Sequence, residues 1–189
     1  MAATRDLVVA YPGGLRARFR WAGSGQGDEV FALSETGGTL TDLGPSVSDD
    51  PDALCRAELR VDTPVGAWTV RLASRIYDEP VGLAWDTAGL LVVSYGFHVY
   101  GLEARTGVAA WIHRSATPIV ALVGSSRLDH VIAVAEIETV ALGAGGDAIW
   151  RVAHSDVVSQ AQLVGGRLVL TAYSGETIAL DPGTGRTIA

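Results

Sequence analysis

Tyr100-Gly101-Leu102-Glu103-Ala104-Arg105-Thr106-Gly107, followed four residues later by Trp111, is the stretch that decides the reading of the whole chain. The apolar run Leu90–Tyr95 precedes it, and Gly96 breaks that run. The segment reads as a buried strand, a tight turn, a second strand closing on Leu102, a glycine turn, and a third strand carrying Trp111. Gly107 supplies the positive φ that a tight strand-to-strand turn requires.

Working outward, the same pattern recurs from His130 to Trp150 and again from Leu168 to the C-terminus. The leucines that close the second strands, Leu102, Leu142 and Leu180, are 40 and 38 residues apart. Trp111 and Trp150 follow the first two by nine and eight residues, and Leu59 with Trp68 repeats the offset 43 residues earlier. A period near 40 with about four short strands per unit marks propeller blades. One four-stranded meander has two faces and buries neither alone, whereas stacked blades cover one another. The tryptophans are then packing residues between blades. The fold expected is all-β: a propeller-like array of about four four-stranded antiparallel blades, as a closed small ring or an open half-ring. At 189 residues, four blades have about 47 residues each. The whole chain, 1–189, reads as one such domain, with N-terminal strands and a loop over 1–56 and repeat units over 57–189.

The repeat resembles that of quinoprotein-type propellers, those of the pyrroloquinoline-quinone enzymes. Their blades carry Ala-Leu-Asp, then Thr-Gly, then tryptophan. The best copies are Tyr100–Gly107 with Trp111, and Ile178-Ala179-Leu180-Asp181-Pro182-Gly183-Thr184-Gly185. The copy from Val140 through Leu142 and Gly146 to Trp150 lacks the threonine. The resemblance implies blade architecture over about 57–189. It does not bring the quinone cofactor, whose adjacent cysteine pair and asparagine-assisted calcium site cannot be built from one cysteine and no asparagine. No cofactor is expected.

Composition narrows the class. Hydrophobic residues make up 48% of the chain, which excludes disorder, yet no apolar run approaches the ~18 residues of a membrane span. All 14 basic residues are arginine, and the net charge of −7 disfavours a global grip on nucleic acid. Cys55 alone excludes a disulfide framework and a thiolate metal cluster. Residues 1–14 lack the apolar core of a secretory signal, so the expected compartment is the cytoplasm.

Upstream of the repeats, Leu15-Arg16-Ala17-Arg18-Phe19-Arg20-Trp21 alternates apolar and basic residues, as a half-buried strand does. With Leu7–Tyr11 and the turn Pro12-Gly13-Gly14 it predicts a hairpin able to complete an edge blade. The only helical candidate is Asp50–Leu59, with Asp50 as N-cap and Pro51 at the first helical position. Arg16, Arg18 and Arg20 form a basic stripe, which reads as a solvated strand face answered by carboxylates such as Glu58 and Asp62. Asp49, Asp50 and Asp52 lack the glycine and distal glutamate of a calcium loop.

In a meander of strands a to d, the b–c turns and the d–a connections share one end of every blade. That end collects Tyr95, Phe97, His98, Glu136, Glu138, Tyr173 and Glu176, with His113, Arg114 and His154 from the connections. Aromatics rimmed by charge make a contact surface. The histidines come from different blades without ligand spacing, so no metal site is expected. Gly23-Ser24-Gly25 is not a nucleophile elbow, and Gly143-Ala144-Gly145-Gly146 lies between strands rather than before a helix. Nothing assembles a base, an orienter and an oxyanion donor. The expectation is a non-enzymatic module that binds a protein partner or self-associates, as a dimer. The alternative is a binder of small molecules or carbohydrates, or a hydrolase, using the aromatic rim or a central channel.

Overall fold

A computed structural model of the chain describes residues 4–31, 38–50 and 52–189. Strands dominate, in four sheets of three to five strands. The chain divides into two compact units: Met1–Gly96 with Leu102–Ala109, and Phe97–Gly101 with Ala110–Ala189.

The first sheet lies in the first unit. It contains β1 (Arg5–Tyr11), β2 (Leu15–Ala22), β3 (Thr39–Asp42), β4 (Cys55–Thr63) and β5 (Gly66–Ser74), in the order β1-β2-β4-β5-β3. The N-terminal hairpin forms where the alternation predicts it, with Gly13 and Gly14 at φ +77° and +74° making the turn. β2 pairs antiparallel with β4, and β4 with β5, while β3 lies parallel to β5 on the outside. The N-terminal strands therefore complete a blade with β4 and β5.

The helix expected over Asp50–Leu59 is not formed: Cys55–Thr63 is a strand, and the Asp50 N–H donates to Ser48 Oγ at 3.1 Å. Pro51 lies outside the described residues. The apolar residues Cys55, Ala57, Leu59 and Val61 recur at period two and are all buried in a strand paired on both sides, which overrides the local cap signal. Among the described residues the short helix α1 (Gly27–Phe31) lies between β2 and β3 in the chain.

Alternation divides this sheet cleanly. Ala17, Val61 and Trp68 align across three strands, as do Phe19, Leu59 and Val70, making an apolar face. On the other face Arg16 lies opposite Asp62, and Glu58 sits between Arg20 and Arg71. Arg18 pairs with Asp6 from β1. The arginine stripe is thus answered by carboxylates on neighbouring strands, but the face is not solvated throughout as expected: Arg20 and Glu58 are buried. The Arg71 guanidinium also stacks 4.2 Å over the Phe31 ring of α1.

Next in the chain come β6 (Val81–Trp85), β7 (Leu90–Tyr95), β8 (His98–Glu103) and β9 (Ala109–Arg114), in sequence order within one sheet. The division between the units runs through this sheet. β7, apolar but for Ser94, is buried along its whole length.

The second unit also holds β10 (Ile119–Val123), β11 (Val131–Ala135), β12 (Glu138–Leu142) and β13 (Ala148–Ala153), followed by β14 (Val158–Val164), β15 (Arg167–Ala172) and β16 (Thr177–Leu180). Arg186–Ile188 returns beside β16 through the bonds Asp181 N to Arg186 O and Ile188 N to Ala179 O. Ile132, Val134 and Ala141 of one sheet pack with Val158, Leu168, Leu170 and Leu180 of the next. Burial of such side chains, at ~1.5–3 kcal/mol each, is the main stabilising contribution.

The recurring tryptophans are packing residues. Trp68 donates its Nε1–H to Ala104 O at 3.0 Å within the first unit, and Trp111 donates to Ala144 O at 2.9 Å within the second. A glycine lies flat against each indole: Gly107 on Trp68, Gly146 on Trp111 and Gly185 on Trp150. These glycines combine positive φ with the absence of a Cβ, so one residue type meets two demands.

Candidate functional site

The second unit carries the b–c turns of two blades and the connection between them. The turn joining β11 to β12 presents Glu136 and Ile137. The turn joining β15 to β16 presents Tyr173 and Glu176, with Gly175 at φ +90° closing it through Gly175 N to Ala172 O. The connection from β13 to β14, residues 154–157, runs between these turns and is bonded to both. His154 N donates to Ile137 O at 2.8 Å, Val158 N to Glu136 O at 2.7 Å, and Tyr173 N to Val157 O at 2.7 Å. Three backbone bonds thus fix the main chain of one rim, which lowers the ordering cost of binding there.

Side-chain bonds reinforce the rim. The Asp156 carboxylate accepts from the Ser174 hydroxyl and from backbone N–H groups of Val157 and Ser174, which hold it below the ordinary carboxylate range. Asp78 does a similar task in the first unit, accepting Glu79 N and Gly96 N at 2.8 Å each. Burial is the larger effect there and raises its pKa.

The predicted site residues divide into two groups. Glu136, Glu138, Tyr173 and Glu176 lie on the rim of the second unit, and Tyr173 is 84% exposed. Tyr95 and His98, expected as contact residues, are instead buried, and Phe97 is half-buried. The reason is alternation at full burial. Tyr95 closes a strand covered on both faces, and His98 stacks on Tyr100 with ring centroids 5.8 Å apart. Tyr100 is itself fully buried, and burial pushes its phenol pKa up.

Around Glu138 a small charged group forms. Arg151 Nη1 donates to Glu138 Oε1 at 2.5 Å, since the pairing of Val140 with Arg151 places the arginine on the glutamate's face. Burial lowers the His113 pKa, the Arg151 cation lowers it further, and Glu138 partly opposes both. On the other face of β12, His154 Nε2 bonds to Thr139 Oγ1 at 2.7 Å, and burial lowers the His154 pKa. A hydroxyl paired with imidazole is the beginning of nucleophile chemistry, but Thr139 has no exposed surface and cannot reach a substrate. The third histidine of this unit, His130, bonds through Nε2 to Pro182 O at 2.8 Å. A carbonyl only accepts, so His130 carries its proton on Nε2. Among the described residues, no three His, Cys, Asp or Glu side chains come together to hold a metal ion.

Two rim residues were not anticipated. Ile137 and Val157 are 44% and 38% exposed and flank the same bonded connection. The sequence signal was the Glu136-Ile137-Glu138 tripeptide, an isoleucine at a turn position normally held by Gly, Asn or Asp. Val157 carried no such signal, because its exposure depends on where the connection leaves β13.

No protein-family profile matches the chain, and no curated protein matches it. Solved structures do. BamB from Moraxella catarrhalis aligns over 99% of this chain and 62% of its own, at 15% identity and a TM-score of 0.55. A HIRA fragment, 644–1017, aligns over 97% of this chain and 52% of its own, at 15% identity and a TM-score of 0.50. The chain therefore spans about three fifths of the first structure and half of the second. No helix among the described residues is long and apolar enough to cross a membrane. The sheets and these likenesses together show that the chain has a β-propeller fold.

Proposed function

We propose that this protein is a binding module that recognises a protein partner through the b–c rim of its second unit. The observation that carries this reading is Tyr173: a large aromatic side chain, 84% exposed, on a turn whose backbone is bonded to the neighbouring connection. Preorganised aromatic anchors of this kind carry much of the free energy of protein interfaces. With Thr139 fully buried, its pairing with His154 favours recognition over catalysis as the task of this rim. The repeat itself reads as quinoprotein-type, supported by Thr106-Gly107 and Thr184-Gly185 lying where the blade turns occur.

The test is site-specific photo-crosslinking in cells, with the crosslinking residue placed at position 173 or at exposed Asp147 in the opposite c–d turn. A protein adduct at 173 and none at 147 is expected. Adducts at neither position, or equally at both, would refute the reading.

A further inference from the structure

We infer that the partner segment taken by this rim is basic and apolar: an extended stretch of arginine or lysine interspersed with large aliphatic or aromatic side chains. The inference rests on the binding-module reading and adds the chemistry of its partner. Ile137, Val157 and Tyr173 supply the apolar part. They come from two turns and the connection between them, and the bonds His154 N to Ile137 O and Tyr173 N to Val157 O make these segments neighbours. These exposed side chains put apolar surface on one rim built from neighbouring segments.

Charge selects the occupant. Glu136 and Glu176 stand within three residues of Ile137 and Tyr173 along the chain, and Asp156 directly precedes Val157. The Asp156 carboxylate stays ionised because Ser174 and Val157 donate to it. Glu138 is the acid of this rim whose charge is answered on the spot, by Arg151. Three carboxylates therefore belong to the same turns and connection as these apolar residues. An acidic or phosphorylated segment is repelled, while guanidinium or ammonium groups flanking an apolar side chain find partners on both sides. Rim charges act mainly on association rate and salt dependence, and the apolar side chains supply the retention.

The experiment uses the full chain and three short fluorescent peptides: alternating arginine and leucine, alternating glutamate and leucine, and alternating arginine and serine. Anisotropy titrations should show the arginine–leucine peptide binding about tenfold or more tightly than either other peptide, and weakening as salt rises. Tyr173→Ala should reduce its affinity about tenfold, and the double variant Glu136→Gln with Glu176→Gln about fivefold. Circular dichroism keeps misfolding from being mistaken for lost binding. Equal binding of the glutamate peptide, equal binding of the serine peptide, or indifference to these substitutions overturns the inference. So does absence of binding by the arginine–leucine peptide. If crosslinking at position 173 captures a partner through an acidic or uncharged segment, the binding-module reading stands and this inference alone falls. If neither crosslinking nor peptides report binding at the rim, both fall.

Discussion

Trp111 and Gly146 are locked together: the indole donates to Ala144 O at 2.9 Å, and a Cβ built on Gly146 would lie 2.6 Å from Trp111 Cγ. Gly146 also sits at φ +86°, where an L side chain is strained even in open space. Gly146→Ala should therefore destabilise the protein by ~2–4 kcal/mol, combining the left-handed backbone cost with displacement of the ring. Urea denaturation would measure it. Gly165→Ala, at φ +57° with open space around it, should lose only the backbone part, ~1–2 kcal/mol.

Trp111 and Trp150 differ in one atom's surroundings. Both pack on a positive-φ glycine, but Trp150 Nε1 is buried without a hydrogen-bond partner. Pro182 O stands three residues before Gly185, as Ala104 O stands three before Gly107, yet it is bonded to His130 Nε2. His130 also meets Trp150 edge-on, with ring centroids 6.1 Å apart. Trp111→Phe should cost ~1–3 kcal/mol beyond lost packing, since it orphans the Ala144 carbonyl. Trp150→Phe removes an unsatisfied donor and should cost distinctly less. Thermal melts of the two variants side by side would decide it.

Glu58 and Asp6 both pair with arginine, in opposite environments. The Glu58 side chain is 5% exposed and lies 3.5 Å from Arg71 on a strand flanked by Arg20, whereas the Asp6 pair with Arg18 is open to water. Removing one partner of a buried ion pair leaves an uncompensated charge, so Glu58→Ala should cost ~3 kcal/mol or more. Asp6→Ala should cost less than ~1 kcal/mol, because solvent screens the exposed pair. Chemical denaturation of both variants separates the cases.

Stability should fall on mild acidification. His113 and His154 both have folded-state pKa values lowered below the ordinary 6.5, chiefly by burial. For a base with a depressed folded pKa, the unfolded chain binds protons first. The stability it contributes is therefore present above pH ~6.5 and is lost as pH falls through the folded value. Melting temperature should decline from pH 7.5 towards pH 5, and the double variant His113→Gln with His154→Gln should flatten that decline. An unchanged slope in the double variant would remove these histidines as its cause.

How much of this was legible beforehand differs by element. The blade repeat was written in Leu102, Leu142, Leu180 and the tryptophans, because packing between repeated units demands the same residue at the same place. The N-terminal hairpin was equally plain from strict alternation in Leu15–Trp21. The Asp50–Pro51 pair misled, since a helix-start signal is local and the pairing of β4 with both β2 and β5 is not. On the rim, Tyr173, Glu136, Glu138 and Glu176 lay where the meander predicted, but Tyr95 and His98 did not reach the surface.

The sequence by itself determined the alternation within each strand and the turn glycines, because each depends on neighbours only a few residues apart. Tertiary structure alone decided which aromatics face solvent, which carbonyls Trp68 and Trp111 take, and that the segments carrying Ile137, Val157 and Tyr173 share one rim. Those outcomes depend on contacts between segments from 16 to 52 residues apart in the chain, where no local propensity reaches and only tertiary packing selects among alternatives.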